Sequence, residues 1–181
     1  HEFTTDKSSD FNAILTTLKG KKPDIIFFGG MDAVAGPMLK QMKQLGISAK
    51  FMGGDGICTA ELAKLAAEGM ADENVFCAEA GGVEGEQKAG MEKFRTDFKA
   101  KYNAEVQVYA PYVYDAVKVM VQAMVTAGSS DPAKYLPALK SINYKGVTGN
   151  IAFDEKGDIK NGALTLFTYK AGKREQIAVV R

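Results

Sequence analysis

The residue in this chain best placed to do chemistry is Asp55. It lies in Phe51-Met52-Gly53-Gly54-Asp55-Gly56-Ile57, where three glycines surround one carboxylate and an apolar run gives way to a helical pattern. Glycine at such a point lets the backbone turn sharply and lets another group approach closely. In an open parallel sheet, ligands bind just beyond the carboxyl ends of the strands. A carboxylate there can pair with a cationic group such as an ammonium. The same pattern also suits a turn aspartate, or a helix cap set one step early, with Thr59 the better cap.

Other chemistries find less support. Gly29-Gly30-Met31-Asp32 and Gly53-Gly54-Asp55-Gly56 both follow apolar runs. Neither is a phosphate-binding GxxxxGK[ST], and neither is a GxGxxG opening a helix. Asp154 to Asp158 has a superficial likeness to a calcium loop, but Lys156 occupies its middle and no glutamate follows at the required spacing, so a turn is expected. Glu84 and Glu86 suit a helix N-terminus better than acid–base work. The single histidine is His1, so no interior imidazole serves a Ser-His-Asp or Cys-His scheme. Cys58 and Cys77 lack CxxC spacing, which makes a zinc site improbable, and no metal or cofactor is expected.

With 23 basic against 22 acidic residues and no basic stripe, the chain is not expected to bind nucleic acid. No apolar run is long enough for a membrane span. No secretory signal precedes His1, and the opening His1-Glu2-Phe3-Thr4-Thr5 starts in mid-pattern, as in a mature protein lacking its beginning or a fragment.

The elements that must position these residues alternate. Glu2 to Thr5 could form a short strand; Ser8, Ser9 and Asp10 then offer caps for a helix with Phe11, Ile14, Leu15 and Leu18 on one face. Ile25 to Phe28 is a continuous apolar run, as expected of a strand buried on both faces. A helix carrying Met38, Leu39, Met42 and Leu45 closes at Gly46, and a strand, Lys50 to Met52, leads into the Asp55 loop. Thr59 caps a helix with Leu62, Leu65 and Ala66, and Asn74 to Ala78 is the next strand. Such alternation implies βαβ units and a doubly wound α/β sheet.

Beyond Gly82 the texture changes. Glu84 to Lys101 is amphipathic, with Met91, Phe94 and Phe98 inward. Ala110 to Ala127 carries apolar residues, Met120 and Met124 among them, around much of its circumference and reads as a buried helix. Asp131-Pro132 opens another, with Leu136, Leu139 and Ile142 on its face. Ala163 to Tyr169 and Gln176 to Val180 flank Ala171-Gly172-Lys173 as a β-hairpin. Tyr109 precedes Pro111 at the start of the apolar helix, where an aromatic either covers a bound side chain or packs as ordinary structure.

Several runs together resemble one family. They are Pro23 to Gly30, Phe51 to Gly56, Ala66 to Gly69 before Val75-Phe76, Tyr109 to Ala116, and Gly149-Asn150-Ile151-Ala152-Phe153-Asp154-Glu155-Lys156-Gly157-Asp158. In register over the whole chain, they are similar to the periplasmic branched-chain amino-acid binding proteins, the solute receptors of ABC importers. The resemblance implies the type I binding-protein fold, with two lobes joined by crossovers and an amino acid held between them. It places the chain as roughly the second half of such a protein, whose missing N-terminal half would be a partner. Residues 1–80 and 162–181 would form the second lobe without its first strand–helix unit. Residues 81–161 would complete the first, with hinge strands at Ala80 to Val83 and Asp158 to Gly162.

By the same resemblance Asp55 meets the ligand's ammonium beside Gly54, and Tyr109 covers its side chain. Where family members carry an aromatic after the paired glycines, this chain has Met31. The implied protein is not an enzyme. It works in the periplasm, or outside a Gram-positive cell on a membrane anchor, and its partners are a small amino acid and a membrane permease. A receptor for another small amide or amino acid, a sensory domain of a regulator or signalling receptor, and a flavodoxin-like enzyme or nucleotide binder are the rival readings. An exported protein is oxidised, and Cys58 and Cys77 would lie on neighbouring βα units, so a disulfide is expected, with two buried free thiols as the alternative.

Overall fold

A computed structural model of the protein describes residues 1–82 and 87–181. The chain forms two compact units, one of His1–Ala80 with Leu164–Val180, the other of Gly81–Ala163 with Arg181.

The first unit is built on a five-stranded sheet. Its strands are β1 (Ile25–Phe28), β2 (Lys50–Gly53), β3 (Val75–Ala80), β6 (Leu164–Lys170) and β7 (Lys173–Val180), side by side in that order. β1, β2 and β3 are parallel, β6 pairs antiparallel with β3, and β7 pairs antiparallel with β6. Helix α2 (Asp32–Gln44) links β1 to β2, and α3 (Ala60–Ala66) links β2 to β3; α1 (Asn12–Gly20) precedes the sheet. The local signals are chemical. Gly46, at φ +65°, ends the turn after α2, where a side chain would be strained. The Thr59 hydroxyl accepts the Leu62 N–H at 3.1 Å and so caps α3. Ala171 and Gly172 both take positive φ, as a tight two-residue hairpin turn requires.

Phe11, Leu15, Met38, Met42, Phe51, Leu62, Val75 and Tyr169 are buried in one core. Two expectations fail here. Glu2 to Thr5 forms no strand. β1 is not buried on both faces: Ile26 is covered, but Ile25 and Phe27 are 50% and 68% exposed. β1 is an outer strand of this sheet, so its apolar alternate face has less cover than an interior strand receives.

The second unit contains α4 (Gln87–Tyr102), α5 (Ala110–Ala127), α6 (Pro132–Lys140) and a small antiparallel pair, β4 (Tyr144–Lys145) with β5 (Asn150–Ile151). Val83, Glu84, Gly85 and Glu86 lie outside the described residues, and with them the expected helix start at Glu84 and Glu86 and the end of the first hinge strand. Asp131 caps α6 by accepting the Ala133 N–H, as its position before Pro132 predicts. The run resembling a calcium loop is a turn: Asp154 Oδ1 accepts the N–H groups of Lys156 and Asp158, each at 2.9 Å.

Helix α5 corrects the sequence reading most clearly. Pro111, Asp115, Val119 and Ala123 are buried, whereas Val113, Val117, Met120, Val121 and Val125 are exposed. Met124 is half-buried, and Leu136 of α6 is also exposed. Apolar residues around a helix report a demand for cover on every side, and the described residues supply it on one.

Candidate functional site

Register brings the candidate residues of the first unit together. Phe28 of β1 pairs with Gly53 of β2, and Gly53 pairs with Cys77 of β3. The loops after β1 and β2 therefore leave the sheet side by side at its carboxyl edge. Their approach is close enough to dictate residue type. A Cβ on Gly56 would lie 2.6 Å from the Gly30 carbonyl oxygen and 2.8 Å from Met31 Sδ, and one on Gly53 would meet the Phe28 carbonyl at 2.9 Å. Gly54 differs: a Cβ there meets nothing within 4 Å, and its φ of −82° is open to any residue. The lack of a side chain at Gly54 leaves room on the outer face of the loop.

Asp55 opens a short 3-10 turn, Asp55–Ile57, and is exposed. Its backbone carbonyl accepts the Cys58 N–H at 2.9 Å, while among the described residues its carboxylate has no hydrogen-bond or ion-pair partner. Met31, 52% exposed, stands at the start of α2 with its carbonyl accepting the Val34 and Ala35 N–H groups. Met31, Gly54 and Asp55 thus share one edge of the first unit. Tyr109 belongs to the second unit, at the residue before α5, where it is 45% exposed and does not cap the helix with its side chain.

The loop that carries Asp55 is held from several directions. Ile57 and Cys58 are fully buried. Cys58 and Cys77 are joined in a disulfide, with their Cα atoms 5.3 Å apart. The Tyr169 hydroxyl lies 2.8 Å from the Ile57 carbonyl oxygen and 2.9 Å from that of Thr59, and shares its single proton between them. Arg174 donates to the Cys58 carbonyl and pairs with Glu79 at 3.1 Å, its guanidinium resting over the Phe167 ring. The Thr59 hydroxyl, while capping α3, donates to Asp32 Oδ2 at 2.6 Å. Burial pushes the Tyr169 phenol well above its ordinary range, opposed in part by Arg174, so it stays protonated and donating.

The sequence assigned no role to Asp32, Tyr169 or Arg174. The second unit holds a further carboxylate to which the sequence assigned no separate role. Asp115, 1% exposed on α5, accepts from Val147 N at 3.0 Å, Thr148 N at 2.8 Å and Thr148 Oγ1 at 2.6 Å. It pins the turn between β4 and β5 to the helix, and a Cβ on Gly146 would collide with it. The available signal was the single acid on a largely apolar helix.

Among the described residues no group of three or more His, Cys, Asp or Glu could hold a metal ion, and no helix is long and apolar enough to cross a membrane. The arrangement at the sheet edge offers one exposed carboxylate on a rigid, glycine-lined loop. That suits recognition of a cation.

Comparison with known proteins agrees with the fold. The periplasmic binding protein family model matches residues 1–174. The leucine-, isoleucine-, valine-, threonine- and alanine-binding protein of Pseudomonas aeruginosa is 35% identical over 161 residues, which is 88% of this chain and 42% of that protein. The chain thus spans about half the length of the curated relatives it matches. Among solved structures, the leucine-binding protein LivK of Thermotoga maritima superposes with a TM-score of 0.83 at 27% identity, covering 99% of this chain and 51% of that one. LivJ of Streptococcus pneumoniae, a branched-chain amino-acid transporter substrate-binding protein solved with isoleucine, gives 0.79 at 28% identity over 98% of this chain and 49% of that one. The mixed α/β architecture is that of a type I periplasmic binding protein, and the chain belongs to the periplasmic binding protein family.

Proposed function

We propose that this chain is the ammonium-recognising part of a non-enzymatic, extracytoplasmic solute-binding protein. The protein captures a small aliphatic amino acid and delivers it to the membrane permease of an ABC importer. The observation that carries this reading is the exposed Asp55 carboxylate, unpartnered among the described residues and set on a loop that is itself tightly held. A charge-assisted bond from such a carboxylate to an ammonium contributes roughly 1.5–3 kcal/mol. Gly54 leaves room for the ligand's backbone, and the flexible thioether of Met31 lies against the same loop. Tyr109 is proposed as cover for the ligand's side chain.

On this reading residues 1–80 and 162–181 act as one lobe and 81–161 as part of another, and the ligand stabilises the closed arrangement because only there does it touch both. The relatives' greater length supports a further partner, the N-terminal half of the same fold, which would cover the exposed valines of α5. Named relatives bind branched-chain amino acids, threonine and alanine, which sets the panel to test. Calorimetric titration of the native-length protein with L-leucine, L-isoleucine, L-valine, L-threonine and L-alanine should give saturable binding. Asp55→Ala should weaken it at least about tenfold, since each decade corresponds to about 1.4 kcal/mol. Unchanged affinity in Asp55→Ala would remove Asp55 from the site.

A further inference from the structure

The turn that presents Asp55 is only three residues long, too short to hold itself, and its carbonyls have few helical partners. The carbonyl of Ile57 at its end, and those of Cys58 and Thr59 that follow it, are reached by two side chains from the hairpin at the other end of the sequence. Tyr169 and Ile57 are 112 positions apart, and Arg174 and Cys58 are 116. We infer that Tyr169 and Arg174 are positioning residues for ligand capture. They clamp the three carbonyls so that the Asp55 carboxylate meets an ammonium in one fixed place.

The inference rests on the reading that Asp55 binds an ammonium, and the physical reason is preorganisation. An exposed carboxylate pairs weakly with a cation when both must give up conformational freedom to meet. A carboxylate whose backbone is already fixed loses less on binding, and the difference appears as affinity. Tyr169 is fully buried, so its ring cannot drift from the carbonyls. Arg174 is held in turn by Glu79 on β3 and by the face of Phe167 on β6. The clamp therefore ties the loop to strands of the sheet itself.

A double-mutant cycle in the native-length protein tests this, with L-leucine affinity measured by calorimetry and ligand-free unfolding followed in parallel. The variants are Asp55→Asn, Tyr169→Phe and their combination. Tyr169→Phe should weaken L-leucine binding about fivefold in the wild-type background and have little further effect once Asp55→Asn is present, because coupled residues are non-additive. A purely structural tyrosine would lower the melting temperature and alter affinity equally in both backgrounds, or not at all, and either result overturns the inference. If Tyr169→Phe fails to fold, Arg174→Lys carries the same cycle. If Asp55→Asn alone leaves affinity unchanged, or the wild type binds none of L-leucine, L-isoleucine, L-valine, L-threonine and L-alanine, the ammonium reading fails and the clamp with it. If Asp55→Asn weakens binding and neither clamp variant does, the ammonium reading survives and the clamp alone is rejected.

Discussion

Asp55 and Asp115 are carboxylates of the two units, and they have opposite surroundings. Asp115 is sealed inside the second unit with three donors on its two oxygens. Asp55 stands exposed on the first unit, and the hydrogen bonds around it go to the backbone of its loop instead. A buried charge must be satisfied internally or it costs several kcal/mol, so Asp115 is committed to structure. An exposed charge on a rigid loop remains available for a partner that arrives. The polar investment in the first unit fixes where the carboxylate sits rather than neutralising it.

This contrast can be broken most forcefully at Asp115. Asp115→Ala strips three donors of their acceptor and leaves a hole beside Gly146, and should destabilise the protein by about 3 kcal/mol. Differential scanning calorimetry of the native-length protein reads the loss; a melting temperature within a degree of the wild type would show that water replaces the carboxylate freely.

Removing the disulfide should cost nearly as much. Cys58 and Cys77 are 19 positions apart, and a closed loop of that size contributes about 3 kcal/mol in the chain-entropy picture. The double variant Cys58→Ala/Cys77→Ala should therefore unfold at clearly lower denaturant. Equal midpoints would mean that the clamp and the buried Ile57 already hold the loop.

The glycines sharpen the comparison at the loop. Gly56→Ala drives a methyl into the Gly30 carbonyl and should cost about 1–3 kcal/mol, whereas Gly54→Ala meets open space and should change stability by under about 0.5 kcal/mol. If a ligand does approach Gly54, that second variant weakens amino-acid binding at unchanged stability. Affinity equal to the wild type would move the ligand away from Gly54.

The smallest effect belongs to a surface pair. Lys170 holds the Glu73 carboxyl below its usual range, and Glu73 and Glu175 raise Lys170 above its own. The glutamate's contribution is present above its unfolded value and is lost as pH falls through the lowered one. The lysine's is present below its unfolded value and is lost as pH rises through the raised one. The pair therefore supports the fold across the middle of the pH range and fades at both ends. All three groups are exposed and screened, so Lys170→Met should flatten the pH profile of the melting temperature only slightly. A large flattening would assign these exposed charges more weight than solvent screening permits.

Much of this protein is decided within short windows of sequence. The alternation of apolar runs with helical periods yields the βαβ order, Thr59 announces its helix, Gly46 its stop, and Ala171-Gly172 its hairpin. The glycine-bracketed Asp55 was visible as a candidate for the same reason, since turn and close-approach chemistry is written in neighbouring residues. Tertiary structure alone decided what surrounds that carboxylate. Nothing local at Tyr169 or Arg174 points to carbonyls more than a hundred positions earlier; they meet because β6 pairs with β3 and β7 folds back onto β6. It also decided which apolar faces are covered. Periodicity states that Phe27 or Val117 favours burial, but burial requires a second surface, and whether one is present depends on how distant segments pack.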